Sequence, residues 1–549
     1  MPTNILLTGQ QFCATIPTSA TSVVFCNEIA PTGISLTDVS EAQDNSIVAW
    51  LDGTAYKVST QRDGVKAFAN PDSSYMFSQK SALKGFDFSY FDTSLSNNMG
   101  YMFYKSTGLT LVDVSSFITD NVTNMDYMFG SDDKSYGMKL TSITFGENFN
   151  TSNVTSFFAM FRFCMSLPEV DISMFDTSSA KDLSRLFDRC NSLMQVDVSG
   201  FDTKTVENMS TMFQRCYALK TLDLSGWDTS NCEDMSYMFC NCTALTELKA
   251  ENFNTSKVKT MKQMLQQCNS LKSFSVKNWD VSNCEDLSFL FYGCSSFKSV
   301  DFDNWNVRNN KTFDHFMAHS SMEEYDVSKW EVTSNCTNLN AMFHSTKETY
   351  IDVTGWDTSN VIAFNQIFDG MVNLEKVDGL ETWNTSSGVC FGEMFHSCAK
   401  LKEINLSSFD TRKADVGTQV STNHSTSYGL QMMFTGCSSL EKLILSENFT
   451  RFGNGNIGSE YYAYFPTPSS SNISGADGNW YIFDYAHYAP NDVPDLTAGT
   501  YYSSIKLVDE IDVIVKNGSL KKTADAIRTK NGNTNKYKPS EFADAILLL

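Results

Sequence analysis

The sequence predicts an α/β leucine-rich-repeat solenoid of about fourteen rungs, each with one strand and one short helix. Two observations predict it. A Met-Phe pair recurs along 549 residues with a period close to 26, and each period holds two different apolar patterns. The anchors are Met76, Met102, Met128, Met160, Leu186, Met212, Met238, Met264, Leu290, Phe316, Met342, Ile367, Met394 and Met433. Most are 26 residues apart; the exceptions are 32 (128 to 160), 25 (342 to 367), 27 (367 to 394) and 39 (394 to 433). One such unit cannot bury its apolar face, but stacked units can.

The first half of each unit reads L-x-x-L-D-L-S, as at Leu219, Leu222 and Leu224. The alternation about Asp223 is that of a strand, and stacked strands make a parallel sheet. The second half places Met235, Met238, Phe239 and Cys242 at i, i+3, i+4 and i+7, the spacing of one helix face. The Asp-Thr-Ser-Asn segment between the halves suits a turn and a helix N-cap.

Four segments follow. Residues 1–72 lack the repeat and read as a strand-rich N-terminal cap. Residues 73–449 form the solenoid. Residues 450–502, aromatic and rich in Gly, Ser and Pro, read as a C-terminal cap. Residues 503–549 read as helix, Gly/Asn turn and second helix, a small helical attachment module.

Composition narrows the function. The charge of −22, from 41 Lys+Arg against 63 Asp+Glu, argues against nucleic-acid binding, which needs a basic footprint. No apolar run reaches the ~20 residues that span a bilayer, so no membrane insertion is expected. The N-terminus carries no recognisable signal peptide. Of fifteen cysteines, eight sit four residues after an anchor: Cys164, Cys190, Cys216, Cys242, Cys268, Cys294, Cys398 and Cys437. Cys232, Cys284 and Cys336, six before an anchor, alternate with valines such as Val206 and Val258. Exchange of Cys with Val asks for a small buried side chain, so these thiols read as reduced core filler and not as a metal centre or a disulfide ladder.

The solenoid turns each repeat position into a row. The row eleven before the anchor is aromatic, including Phe201, Trp227, Phe253, Trp279, Trp305, Trp356 and Trp383, with Trp330 and Phe409 slightly shifted. It reads as a core spine with indole N–H groups satisfied at the edge. The strands' outward position is acidic: Asp87, Asp113, Asp171, Asp197, Asp223, Asp301, Asp326 and Asp352, interrupted by Lys249 and Ser275. Such a row is either a solvated face or a track for a cation or basic ligand. Insertions at 130–140 and 411–429 account for the long gaps, and inserted loops often meet partners. The candidate receptor contacts are therefore the eight aspartates, with Lys413, His424 and Tyr428 of the second insertion. His315 and His319 form H-x-x-x-H without the Glu of a zinc-protease helix. No catalytic motif, metal site or cofactor fingerprint is read, and the chain is expected not to be an enzyme.

Units such as FDTKTVENMSTMFQRCYALKTLDLSGWDTS (201–230) resemble the BspA-like leucine-rich repeats of bacterial surface proteins, over roughly residues 70–450. That resemblance implies extracellular adhesion or recognition without catalysis. The segment LKKTADAIRTKNGNTNKYKPSEFADAI (520–546) resembles a short helical module of structural proteins from phages of Gram-positive bacteria. Together they imply a virion protein of tail-fibre or baseplate type, made in the host cytoplasm and acting outside the cell. Its partners would be a bacterial cell-surface receptor, protein or polysaccharide, and other virion proteins, with self-association in the particle. A virion decoration or spacer protein and a bacterial surface adhesin are the alternatives.

Overall fold

A computed structural model describes residues 4–132 and 137–414, most of 429–449, and strand residues 473–474 and 499–503. The chain forms two compact units: Met1–Asp280 with Cys294–Phe297, and Val281–Gly293 with Lys298–Leu549.

The first unit opens with helix α1 (Gly9–Thr15) and strands β1 (Ser22–Phe25), β2 (Thr37–Asp38), β3 (Val48–Asp52), β4 (Ala55–Ser59) and β5 (Ala67–Phe68). The repeats then supply β6 (Gly85–Asp87), β7 (Phe91–Asp92), β8 (Leu111–Asp113), β9 (Ser142–Thr144), β10 (Thr221–Asp223) and β11 (Glu247–Lys249). The sheet order β2-β3-β4-β1-β6 carries the N-terminal segment directly onto the first rung, because β1 pairs in parallel with β6. Rings close the same junction: Phe25 lies 4.3 Å from Phe91, and Phe12 lies 6.1 Å from Phe77. Gly9 starts α1 where a Cβ would fall 2.2 Å from the Ser74 carbonyl oxygen, so only glycine permits the approach.

Most repeat strands are three residues long, and β8 to β11 are buried only at the centre, as in Thr221–Asp223 with Leu222 inward. They pair in parallel one repeat apart, Thr221 with Glu247 and Leu222 with Leu248. The second unit repeats this with β12 (Tyr350–Asp352), β13 (Lys376–Asp378), β14 (Glu403–Leu406) and β15 (Lys442–Leu445). There β15 also pairs antiparallel with β17 (Gly499–Ser503), which in turn pairs with β16 (Ile473–Ser474). Each unit is thus a leucine-rich-repeat-like stack of short parallel strands.

The expected short helix in each rung is not there. Among the described residues the only helical elements are α1 and one 3-10 turn at Leu380–Thr382. The Met-Phe segment is a ladder of overlapping tight turns. In one rung the N–H groups of Tyr101, Phe103 and Lys105 donate to the next rung, to the carbonyls of Asp126, Met128 and Gly130, at 2.7, 2.8 and 3.2 Å. The intervening N–H groups of Met102, Tyr104 and Ser106 fold back to Met99, Tyr101 and Phe103 at 3.3, 3.1 and 3.1 Å. Every donor is used, half between rungs and half within them, which meets the backbone's hydrogen-bond demand without a helix. The turns require positive φ at the residue before the anchor and again four residues on: Tyr101 and Lys105, Tyr237 and Asn241, His315 and His319. The structure therefore has the repeat of the expected α/β class, but among the described residues a strand in only some of the expected rungs, none forming between Thr144 and Thr221 or between Lys249 and Tyr350, and turns where helices were expected.

Three side-chain columns fill the stacks. Phenylalanines after the anchors stack nearly parallel, Phe103 on Phe129 at 5.4 Å and Phe161 on Phe187 at 5.4 Å in the first unit, Phe368 on Phe395 at 5.4 Å in the second. The aromatic row is the core spine: Trp227 stacks on Phe253 at 6.4 Å, and Trp356 on Trp383 at 6.2 Å. Trp227 Nε1 donates to the Val198 carbonyl at 3.0 Å, but the indole N–H groups of Trp279, Trp330, Trp356 and Trp383 are buried without an acceptor. Edge satisfaction therefore does not hold for those four; the stacking geometry fixes where the indoles lie. In the third column, Cys190, Cys216, Cys242 and Cys268 donate their thiols to the carbonyls of Phe161, Phe187, Phe213 and Phe239 at 3.1–3.3 Å. All fifteen thiols are free, and fourteen are buried.

Candidate interaction face

Four of the acidic row, Asp87, Asp113, Asp223 and Asp352, end β6, β8, β10 and β12; Asp171, Asp197, Asp301 and Asp326 hold the same repeat position in rungs where no strand forms. The row's carboxylates do local work. Oδ1 of Asp87, Asp113, Asp171, Asp197, Asp223, Asp301, Asp326 and Asp352 each accepts the backbone N–H two residues on, at 2.8–3.1 Å. These are Asx-turns, which end the strand in the rungs that have one. The hydroxyls of Ser173 and Ser199, with the same backbone bonds, hold Asp171 and Asp197 below the ordinary carboxylate value. Lys249, which interrupts the row, sits opposite Asp223 in the strand register and pairs with it at 2.8 Å. Asp378, which the sequence reading did not include, pairs in register with Asp352. Of the second insertion, Lys413 is exposed, whereas His424 and Tyr428 lie outside the described residues, as do the segments 451–472 and 504–549.

A different face gathers the most unusual chemistry of the first unit. The positive-φ turns stack Tyr75, Tyr101 and Tyr127 at 4.6 and 5.0 Å, with Tyr75 and Tyr101 half-buried and Tyr127 buried. Tyr104 packs edge-on against Tyr101 and Tyr127 at 5.2 and 5.6 Å. The ring faces are taken up by one another and Tyr104 is buried like Tyr127, so the phenol edges on offer are those of Tyr75 and Tyr101. Burial pushes the Tyr101 and Tyr104 hydroxyls up to about 12, which keeps them protonated donors.

Arginines continue the face. Arg162 donates from Nη1 to the Tyr127 hydroxyl at 2.8 Å and from Nε to Asp188 Oδ2 at 2.7 Å. The guanidiniums of Arg162 and Arg189 lie 5.1 and 5.0 Å from the centre of the Phe163 ring, and that of Arg185 lies 6.0 Å from the Phe158 ring. Asp188 is wholly buried, and burial pushes its carboxyl upward against the pull of Arg162. Burial lowers Arg189, as do the like charges of Arg215 and Arg162, while Asp188 opposes them. Arg189 Nε is 3.8 Å from Asp188 Oδ1, too far for a hydrogen bond, and it and Arg215 Nε meet no acceptor.

The equivalent rows in the second unit carry four of the six histidines. His315 stacks on Phe289 at 4.6 Å and bonds Asp314 at 2.7 Å. It is buried among core rings, and the i, i+4 spacing of His315 and His319 reflects successive turns and not a helix face. The rings of His319 and His344 are 4.3 Å apart. Asp369 lies between His344 Nε2 at 3.3 Å and His396 Nδ1 at 2.7 Å. Burial lowers His344 to about 4, whereas the bond to Asp369 raises His396. Among the described residues no group of three or more His, Cys, Asp or Glu is placed to hold a metal ion.

The sequence reading missed the tyrosine–arginine face because it assigned these residues to helices. A usable signal was present: the position three after the anchor holds Asn241, Gly293, Gly370 and Gly436, the residues that tolerate positive φ.

Comparison with solved structures finds a TLR13–ssRNA13 complex at 12% identity, covering 70% of this chain and 62% of that one with a TM-score of 0.20. It also finds a leucine-rich-repeat protein of Leptospira interrogans at 11% identity, covering 61% of this chain and 86% of that one with a TM-score of 0.21. No curated protein matches the sequence. The family described as "Mycoplasma protein of unknown function, DUF285" matches residues 71–143, 132–248, 216–330 and 337–449. Those segments make up more than half of the sequence and coincide with the repeats, and the chain belongs to the DUF285 family.

Proposed function

We propose that this protein is a non-enzymatic recognition protein that binds a bacterial surface through the tyrosine–arginine face of its repeats. The observation that carries the reading is the pair of partly exposed tyrosines Tyr75 and Tyr101, stacked over the buried Tyr127, leading into Arg162 and Arg189. Tyr and Arg dominate the hot spots of protein interfaces, because each covers much area at a low cost in ordering. The ladder of turn hydrogen bonds holds them in place before any partner arrives, so little conformational freedom is lost on binding. The likeness of the repeats to BspA-like surface proteins supports adhesion. The likeness of residues 520–546 to phage structural modules supports display on a virion, as a tail-fibre or baseplate component.

The test is binding of the purified full-length protein to candidate host cells. Tyr75→Ala with Tyr101→Ala should lower cell binding by roughly tenfold or more, while Asp197→Asn with Asp223→Asn should leave it unchanged. Equal binding by all three proteins removes the face from the reading. Mass spectrometry of purified phage particles tests the virion assignment, and absence of the chain from them argues for an adhesin made by the bacterium itself.

A further inference from the structure

We propose that Arg185, Arg189 and Arg215, on two successive rungs beside the buried Asp188, form a site for an oxyanion carried on a surface polymer, a phosphodiester or a carboxylate. The proposal deepens the recognition reading and rests on it. Three successive rungs supply Arg162, then Arg185 and Arg189, then Arg215. Against these four cations the only carboxylate in ion-pair range among the described residues is Asp188, at 2.7 Å from Arg162 and 3.8 Å from Arg189. Arg185 and Arg215 have no carboxylate partner among the described residues, so the cluster keeps an excess of three positive charges (4 − 1) within a chain whose net charge is −22.

That excess is held at a cost. Like charges gathered beside apolar rings repel one another, and burial further disfavours Arg189. The Nε donors of Arg189 and Arg215 are buried without acceptors; Asp188 Oδ1, itself without a donor, lies 3.8 Å from Arg189 Nε, whereas Arg215 has no carboxylate beside it among the described residues. An oxyanion against the outer ends of these guanidiniums would supply the missing negative charge. Guanidinium suits it, because its planar fork matches phosphate and carboxylate oxygens in pairs. A polymer fits better than a single ion, because the arginines are spread over neighbouring rungs and a repeating anion can meet them in turn.

The experiment is calorimetric titration of the full-length protein with poly(glycerol phosphate), polygalacturonate, inorganic phosphate and neutral dextran. The expected result is saturable binding to at least one anionic polymer, weakening as salt rises, with dextran inert. Arg185→Gln with Arg215→Gln should lower that affinity roughly tenfold, and the Lys pair should restore part of it. Asp197→Asn with Asp223→Asn should leave it unchanged. Binding to the phosphate polymer alone assigns a phosphodiester, to polygalacturonate alone a carboxylate, and to both the shared oxyanion chemistry. No saturable binding to either polymer, affinity untouched in the glutamine pair, or equal binding of dextran overturns the site. If the site fails while host-cell binding persists, the recognition reading stands without it. If the site holds while cell binding is absent, the recognition reading falls alone.

Discussion

Cys242 shows how one side chain serves the stack. Its thiol is buried and donates to the Phe213 carbonyl of the preceding rung at 3.1 Å. The same position holds Ser106, whose hydroxyl donates to Phe77 at 2.5 Å. A small donor is wanted there, more than a merely apolar group, and this refines the reading of cysteine as filler. Cys242→Ser should cost less than about 1 kcal/mol in denaturant unfolding, whereas Cys242→Leu should cost about 1–3 kcal/mol by overpacking the column. A leucine variant as stable as the parent would mean that the column has spare room. His344 makes a pH-dependent prediction. Its folded value, about 4, lies below the ordinary 6.5, so the unfolded chain takes up the proton first. Stability should fall as pH drops from 6.5 toward 4, by an amount on the order of 2 kcal/mol. His396 acts in the opposite sense: its value is raised, so its contribution is present at low pH and lost as pH rises through that value. The groups around His344 are Asp369, His319, His315 and His396. Melting curves of His344→Gln should show a flatter acid limb, and an unchanged limb would place the acid sensitivity elsewhere.

At the scale of the element, the turn ladder explains both what the residues announced and what they concealed. Thr211, a β-branched residue, is held at φ 63 in a conformation that favours Gly and Asn. Thr211→Asn should raise stability by about 0.5–1 kcal/mol in denaturant unfolding, and Gly293→Val should lower it by more than about 1 kcal/mol. The opposite order would contradict the turns. The strand half was legible because Leu222 and Leu224 alternate about an outward Asp223, and only a strand gives period two. The aromatic spine was legible because Trp227 and Phe253 can share a column only when rungs stack in register. The turn half was not, because Met235, Met238, Phe239 and Cys242 fall on one face of a helix and equally on the inner side of two successive tight turns. Periodicity alone cannot separate these. Asn241 and the glycines at 293, 370 and 436 could, since a left-handed residue every repeat has no place inside a helix. The tyrosine–arginine face stayed hidden for the same reason: as helix residues Tyr101 and Lys105 share a face, but as turn residues they are the two places where the backbone reverses. The acidic row was placed correctly on the outside, but its Asx-turn bonds depend on backbone geometry that spacing does not report.

For the molecule as a whole, the inter-rung hydrogen bonds are what make rows of side chains available to a partner. The repeat strands are four residues long at most and absent from several rungs, so most backbone pairing comes from the turns and from bridges such as Asn98 with Asn124 and Asn338 with Ala363. At the start of the repeats, β1 caps the first strand and protects an edge that would otherwise be open to another chain. The overall negative charge sets off the local arginine excess, which marks one place where an anion is favoured. All of this depends on the Met-Phe half of each rung being a turn ladder. Far-UV circular dichroism of the purified protein tests that most directly. The account predicts a weak helical signal, because the described residues contain one seven-residue α-helix. Strong helical minima of the size that a short helix in every rung would give would contradict it.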